Sequence, residues 1–469
     1  MGVPSSDNEA VPAWAADIRK EARPVYAAIV EAIAQAVRDG RLAPGDRLPT
    51  QRSLARRLGV DLTTVTRAYS EAAARRLVEA RVGRGTFVAA GAGHAVPPLR
   101  GAADMNMNLP PLFDDPALVR RMWGALDAVE RSQGLPLLLG YQEAGGSGAD
   151  RAAGVRWLRD RLPDVTEDRV LVAAGAQGAL LAITSLLAKP GEVVCAEALA
   201  YPGFRALAAH LGVRIEGVAM DAEGLLPDAF DAACRAHAPK ALYCTPTLNN
   251  PTTATQSAVR RAAVVEVARR HGVPIIEDDA YGRLPADAPP PLAALAPELS
   301  WHVAGVAKVM SPALRIAYVA APDARRAGRL AGALRATVGM ASPLTAAIAR
   351  RWIEDGTELA ILAAIRRETE ARSALVRQIL DGHDVVGRPD AFHAWLPLPA
   401  GWTRGAFTAR LGARGVGVVM SDAFCTTGQP PGAVRLSLGA PETRRDLAAA
   451  LRQVRELLDQ DPVWALGTV

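Results

Sequence analysis

Three blocks of apolar residues at helical spacing lie near the start of the chain. Tyr26, Ile29, Val30, Ile33 and Val37 form the first, which stops near Gly40. After the Pro44-Gly45 turn signal, Thr50 is placed to cap a second helix, with Leu54, Ala55 and Leu58 on one face and Gly59 at its end. Two residues later Asp61 can cap a third helix, whose inner face carries Val65, Ala68, Tyr69 and Ala72. Two short helices across so tight a turn predict a helix-turn-helix. Leu77-Val78-Glu79 then leads into Val82-Gly-Arg-Gly-Thr-Phe-Val88, whose glycines permit a hairpin tip between two strands, a wing.

Ala89 to Ala103 is rich in Gly, Ala and Pro without apolar period and reads as a linker. Beyond it, short β-branched runs alternate with helical patterns. Strands are predicted at Val170–Ala174, Glu192–Ala196, Val213–Val218, Ala241–Thr245, Pro274–Asp278, Trp301–Gly305 and Arg315–Ala321. Helices such as Gly178–Leu187 and Ala258–His271 separate several of them. The pattern is that of an α/β domain with a mostly parallel sheet, whose ligands collect at the carboxyl ends of strands. Helices dominate from about Arg325, and a smaller α/β unit follows from about Asp384. The predicted division is an N-terminal arm (1–18), a winged helix (19–88), a linker (89–104) and a large domain (105–469).

Composition sharpens this picture. The chain has 469 residues, half of them hydrophobic and 22% charged, which excludes a mainly disordered protein. Four cysteines without paired spacing point to a reducing cytoplasm, and seven scattered histidines give no metal-ligand pattern. The first twenty residues carry Asp7, Glu9 and Asp17 without an apolar run, so no signal peptide is expected. The uncharged window between Arg169 and Lys189 is of membrane-spanning length. Gly175, Gln177, Gly178, Thr184 and Ser185 interrupt it, however, and strand, turn and helix explain it better.

Charge is uneven along the chain. Residues 19–88 hold fourteen Lys/Arg against seven Asp/Glu, whereas the whole chain carries only +5. Such a surplus suits either nucleic acid or a solvated face. Leu62, Thr63, Thr66 and Arg67 near the start of the third helix would point outward, where a recognition helix meets base edges. Arg52 opens the second helix near a phosphate position, and Arg84 at the hairpin tip could reach phosphate or the minor groove.

The second asymmetry is between the two basic residue types. Only four of 54 basic residues are lysines: Lys20, Lys189, Lys240 and Lys308. A lysine amine can condense with an aldehyde and an arginine cannot. Lys308 follows an apolar strand, and other polar groups fall at neighbouring strand ends. Gly175-Ala-Gln-Gly178 turns into a helix whose free N–H groups suit either a phosphate or plain packing. Asn249-Asn-Pro-Thr252 supplies side-chain amides that packing does not require. Glu277-Asp-Asp-Ala-Tyr281 places three acids at the end of an apolar strand, where a cationic partner is expected. A phosphate pocket, carboxylate, phenol, amide and amine together suit pyridoxal phosphate.

Two resemblances follow from these residues. Pro44-Gly-Asp-Arg-Leu-Pro49, Arg52-Ser-Leu-Ala55, Leu58-Gly-Val60, Thr64-Val65, Ala68-Tyr69 and Gly83-Arg-Gly-Thr-Phe-Val88 resemble the winged helix of GntR-type regulators. That resemblance implies binding to a double-stranded DNA operator through Arg52, Thr63, Thr64, Thr66, Arg67 and Arg84. Leu62 departs from an arginine common there. The span from about Met105 to Leu458 resembles fold-type I aminotransferases. By that resemblance Lys308 forms the Schiff base and Arg315 binds the phosphate. Ala176 and Gln177 lie in the phosphate turn. Asp278 faces the pyridine nitrogen, Asn250 and Tyr281 the ring hydroxyl, and Tyr201 stacks on the ring. Tyr141 reaches the cofactor of a neighbouring subunit, and Arg435 binds an α-carboxylate. Thr253 departs from a glycine, and Gly305, Ala307 and Ala176 stand where hydroxyl side chains are usual.

The combination looks like the MocR subfamily of bacterial regulators, which implies a homodimer, no membrane and an amino-acid-like effector. The expectation is a regulator in which the effector replaces Lys308 on the cofactor, an internal-to-external aldimine switch. Two alternatives stand beside it: a working aminotransferase with an appended DNA-binding segment, and a repressor whose large domain only dimerises.

Overall fold

Thr50 takes an extended conformation, and its hydroxyl accepts a hydrogen bond from Ser53 N at 3.3 Å, which starts α2 (Gln51–Leu58). Gly59 ends it at φ +65°, a left-handed conformation that glycine adopts without a Cβ clash. Asp61 accepts hydrogen bonds from the Thr63 amide (2.7 Å) and hydroxyl (2.5 Å) at the start of α3 (Leu62–Ala74). α3 packs on α2 and on α1 (Val25–Arg38), in one core with Ile29, Val30, Ile33, Leu54, Leu58, Val65, Ala68 and Tyr69. The computed structural model describes residues 12–15, 18, 25–38, 41–43, 45–74, 77–81, 85–89 and 104–460. It divides into two units, Met1–Leu99 and Arg100–Val469.

The wing of the first unit is the antiparallel pair β1 (Val78–Arg81) and β2 (Gly85–Val88). A third strip joins it, because Leu48 N donates to Thr86 O and Val88 N to Asp46 O. The turn at residues 45–48 is therefore also an edge of the wing. Arg84 lies outside the described residues.

The second unit is built on seven strands: β3 (Val170–Ala173), β4 (Val193–Glu197), β5 (Arg214–Val218), β6 (Leu242–Cys244), β7 (Ile275–Asp278), β8 (Ser300–Gly305) and β9 (Ala317–Ala320). Their order is β3-β9-β8-β7-β6-β4-β5, and only β9 runs antiparallel to its neighbours. Alternate residues feed two cores: Leu171 and Ala173 pack on one face, Val170 and Val172 on the other.

Three sequence expectations need correction. The strand expected at Arg315–Ala321 begins only at Ala317, because Arg315 stands at φ +53° after the turn Pro312–Leu314 and cannot be extended. The helix expected from Gly178 begins at Gly175, whose φ of +78° swings the chain directly off β3. The strand expected at Glu192–Ala196 is shifted by one residue, to Val193–Glu197, and so takes in Glu197.

The smaller unit is an antiparallel sheet of β10 (Val386–Gly387), β11 (His393–Pro397), β12 (Val419–Met420) and β13 (Ala433–Ser437), in the order β10-β11-β13-β12. It also recruits the start of the domain: Asp104 bridges Gly417, and Met105 is fully buried in its core. This return carries residues 106–108 across to the carboxyl edge of the large sheet, where they meet Lys308 and Arg435.

Candidate functional site

On the winged helix, Arg52, Leu62, Thr63, Thr66 and Arg67 are exposed and Thr64 is half-buried. Several of these groups are already engaged. Thr66 donates its hydroxyl to Gln51 (2.8 Å), which ties α3 to α2. Arg67 lies over the Tyr26 ring at 4.1 Å instead of projecting freely. Thr63 is held by Asp61.

In the large domain the three acids of the Glu277-Asp-Asp279 run separate by partner. Glu277 accepts from the Leu292 and Ala293 amides and pairs with His302 (3.0 Å) and Arg261 (4.0 Å). Asp279 pairs with Arg161 at 3.2 Å. Despite its burial, Arg161 and His302 hold its carboxyl below the ordinary range. Asp278, at the end of β7, has no such cation. One oxygen accepts from the Tyr243 hydroxyl at 3.0 Å, and the other is buried without a hydrogen-bond partner among the described residues. Burial pushes its carboxyl up to about 6. The cationic partner expected from sequence is therefore present for two acids and missing for the third.

Lys308 follows β8 on the turn Val306–Lys308 and donates its amine to the carbonyl of Asn108. Burial and the charge of Arg435 bring that amine down to about 8, against the opposing pull of Asp278. Lys189 and Lys240 are exposed by contrast, and Lys20 lies outside the described residues. Asn108 also donates its amide to the Tyr281 hydroxyl (2.9 Å) and lies 3.3 Å from His393 Nδ1. His393 Nε2 donates to Asn249 O at 3.0 Å, which leaves Nδ1 as the acceptor for Asn108. Burial drives this imidazole down to about 3, so it stays neutral.

Arg435 on β13 is buried, and its charge is held by Asn250 Oδ1 (3.0 Å) and the Asn106 carbonyl. Its Nε has no hydrogen-bond partner among the described residues. Arg315 is exposed beside the opening of the helix Gly175–Leu187, where a Cβ on Gly175 would lie 3.7 Å from its guanidinium carbon. Ala176 sits in that first turn against Gly305. Gln177 turns away to donate to Gly203 O (2.7 Å). Tyr201, just before the helix Pro202–His210, is partly exposed and feels the charges of Asp278, Arg315 and Arg435. Tyr141 is 96% exposed and joins none of these groups.

The structure thus brings together Lys308, Asp278, Tyr281, Asn250, Arg435, Tyr201, Arg315 and the Gly175 turn at one edge of the sheet. Sequence reasoning missed Asn108, Tyr243, His393 and Glu197. Their only signal was a polar side chain inside an apolar run, as with Tyr243 in Ala241–Thr245. One expectation is overturned: Asn249 is needed for packing. It is buried and donates to Glu197 Oε2 at 2.9 Å, which also accepts from Thr245 N, so the pair ties the Asn250 loop to the sheet.

Residues 25–88 match the model of bacterial regulatory proteins of the gntR family, and residues 126–454 that of aminotransferase class I and II. An HTH-type transcriptional regulator of Bacillus subtilis, YdeF, is 30% identical over 449 residues, covering 95% of this chain and 97% of that one. The chain belongs to the MocR family. Another relative with this architecture is PtsJ of Salmonella typhimurium, a vitamin B6 salvage pathway transcriptional repressor. It is 27% identical over 81% of this chain and 87% of its own length. Among solved structures, the α-aminoadipate aminotransferase LysN of Thermus thermophilus matches with a TM-score of 0.67 and 24% identity. The match covers 77% of this chain and 94% of that one. That likeness gives the MocR large domain its fold. No helix among the described residues is long and apolar enough to cross a membrane. The protein is an HTH-type transcriptional regulator with an aminotransferase-like domain, and that fold class implies pyridoxal phosphate.

Proposed function

We propose that this regulator holds pyridoxal phosphate on Lys308 and senses an amine that also carries a carboxylate. The observation that carries the reading is Asp278: its free, buried oxygen is the one acid in the Glu277–Asp279 run left for a cationic nitrogen. The donor set fits the group. Lys308 would hold its aldehyde carbon, Asp278 its ring nitrogen, Tyr281 and Asn250 its hydroxyl, and Arg315 with the Gly175 turn its phosphate. When bound, the cofactor supplies an electrophilic carbon that amines compete for. The lowered Lys308 amine is the group they compete with, because an amine that sheds its proton more easily attacks more readily and, being less basic, also leaves more readily. Arg435 selects a carboxylate, which must displace its hold on Asn250 Oδ1 and the Asn106 carbonyl.

Exchange at Lys308 then frees its amine to take up the hydrogen bond to the Asn108 carbonyl, on the segment shared with the smaller unit. That contact is the route by which an effector favours one domain arrangement over another. The division into arm (1–18), winged helix (19–88), linker (89–104) and large domain (105–469) suits such a switch. The regulator acts in the cytoplasm as a homodimer, with Tyr141 serving the neighbouring subunit's site. Arg52, Thr63, Thr64, Thr66, Arg67 and Arg84 serve the operator.

The test is a visible spectrum of the purified full chain with added pyridoxal phosphate, titrated with amino compounds. The wild type gains a visible band that one carboxylated amine shifts, and Lys308→Ala gains none. A band of equal strength in Lys308→Ala removes the proposal.

A further inference from the structure

Behind the Lys308 turn lies a small recess, walled in part by Gly305 and Val309 and with room for one small particle. Nineteen buried side-chain N and O atoms among the described residues have no hydrogen-bond partner, and five of them belong to the lining of this recess. They are Trp157 Nε1, Arg161 Nη2, Arg283 Nη1, His302 Nε2 and Asp279 Oδ1. An unmet buried polar group costs about 1–3 kcal/mol, so five around one space point to an occupant.

The chemistry of the wall selects that occupant. Trp157 and the two arginines are donors only. His302 donates as well, because Glu277 lies 3.0 Å from its Nδ1 and Asp279 lies 3.6 Å from its Nε2; together they favour the imidazolium. Asp279 Oδ1 is the single acceptor. A water molecule can accept about two of the four N–H groups, whereas a halide accepts from each that reaches it.

We infer that this recess is a binding site for one small monovalent anion, chloride in the cell. The site is separate from the groups that face Lys308 on its open side. Its place behind that turn sets a fixed negative charge beneath the lysine when filled.

Two measurements on the full chain without cofactor test the inference. The first compares melting temperature in chloride, bromide and gluconate at one ionic strength, since gluconate is too large for the recess. The halides raise the melting temperature with saturation, and gluconate does not. The second is a crystal grown in bromide, which shows an anomalous peak within reach of Trp157 Nε1 and Arg283 Nη1. Trp157→Phe keeps the ring that lies 4.1 Å beneath Arg283 but deletes one donor, and it weakens halide affinity about ten-fold. Equal melting in all three salts, or a water in place of the bromide peak, overturns the inference. A Trp157→Phe protein with undiminished halide affinity also overturns it.

Discussion

Asp278 and Lys308, the two titratable groups at the centre of the proposed site, are shifted in opposite directions by burial. Asp278 ionises at about 6 in the fold and near 3.9 when unfolded, so the folded chain without cofactor retains a proton that the unfolded chain gives up. Its stabilising contribution is present below about pH 4 and is lost as pH rises through 6. Asp278→Asn therefore melts higher than wild type above pH 7, by up to about 3 kcal/mol, and the gap closes below pH 4. Thermal melts of the cofactor-free proteins across that range check this, and the same variant binds pyridoxal phosphate more weakly. The need for compensation was legible in Glu-Asp-Asp-Ala-Tyr281, since three acids at a buried strand end demand partners. The selection of Asp278 from the three was not, because the partners Arg161, Arg261 and His302 lie on distant elements. Asn108 was wholly hidden: it stands 200 residues before Lys308, within Met105-Asn-Met-Asn108, and only the fold makes them neighbours.

Among the elements, local sequence rules gave the winged helix almost residue by residue. The Thr50 cap and the Gly59 stop both occur as periodicity implies, because each acts within one turn of chain. Thr50→Ala leaves the Ser53 amide without its acceptor and costs about 1 kcal/mol, which faster amide hydrogen exchange across residues 51–58 will report. Strand ends were less legible. Arg315 sits in a left-handed turn that its β-branched surroundings did not announce, and that turn is what places its guanidinium by Gly175. Thr253 adopts φ +62°, which explains why glycine is usual there, yet it is bound into the loop through its amide to Asn249 O. The strip at residues 45–48 belongs to the wing, a pairing that a turn signal alone does not reveal.

For the whole molecule, the basic surplus of residues 19–88 and the enclosed Lys308 lie in different units, so the proposed switch requires communication between them. Under the proposed function, the exposed Arg52 at the start of α2 meets DNA through charge. Arg52→Ala lowers affinity across sequences and reduces the slope of log K against log salt by about one. A slope equal to wild type removes Arg52 from the interface. The central claim is that amine exchange at Lys308 changes DNA binding. Its most direct test is DNA affinity, on fragments the protein itself selects from genomic DNA, for cofactor-loaded wild type and Lys308→Ala with and without the amine that shifts the spectrum. The amine changes the affinity of wild type and leaves Lys308→Ala unmoved. The same change in both proteins, or none in the wild type, contradicts the account.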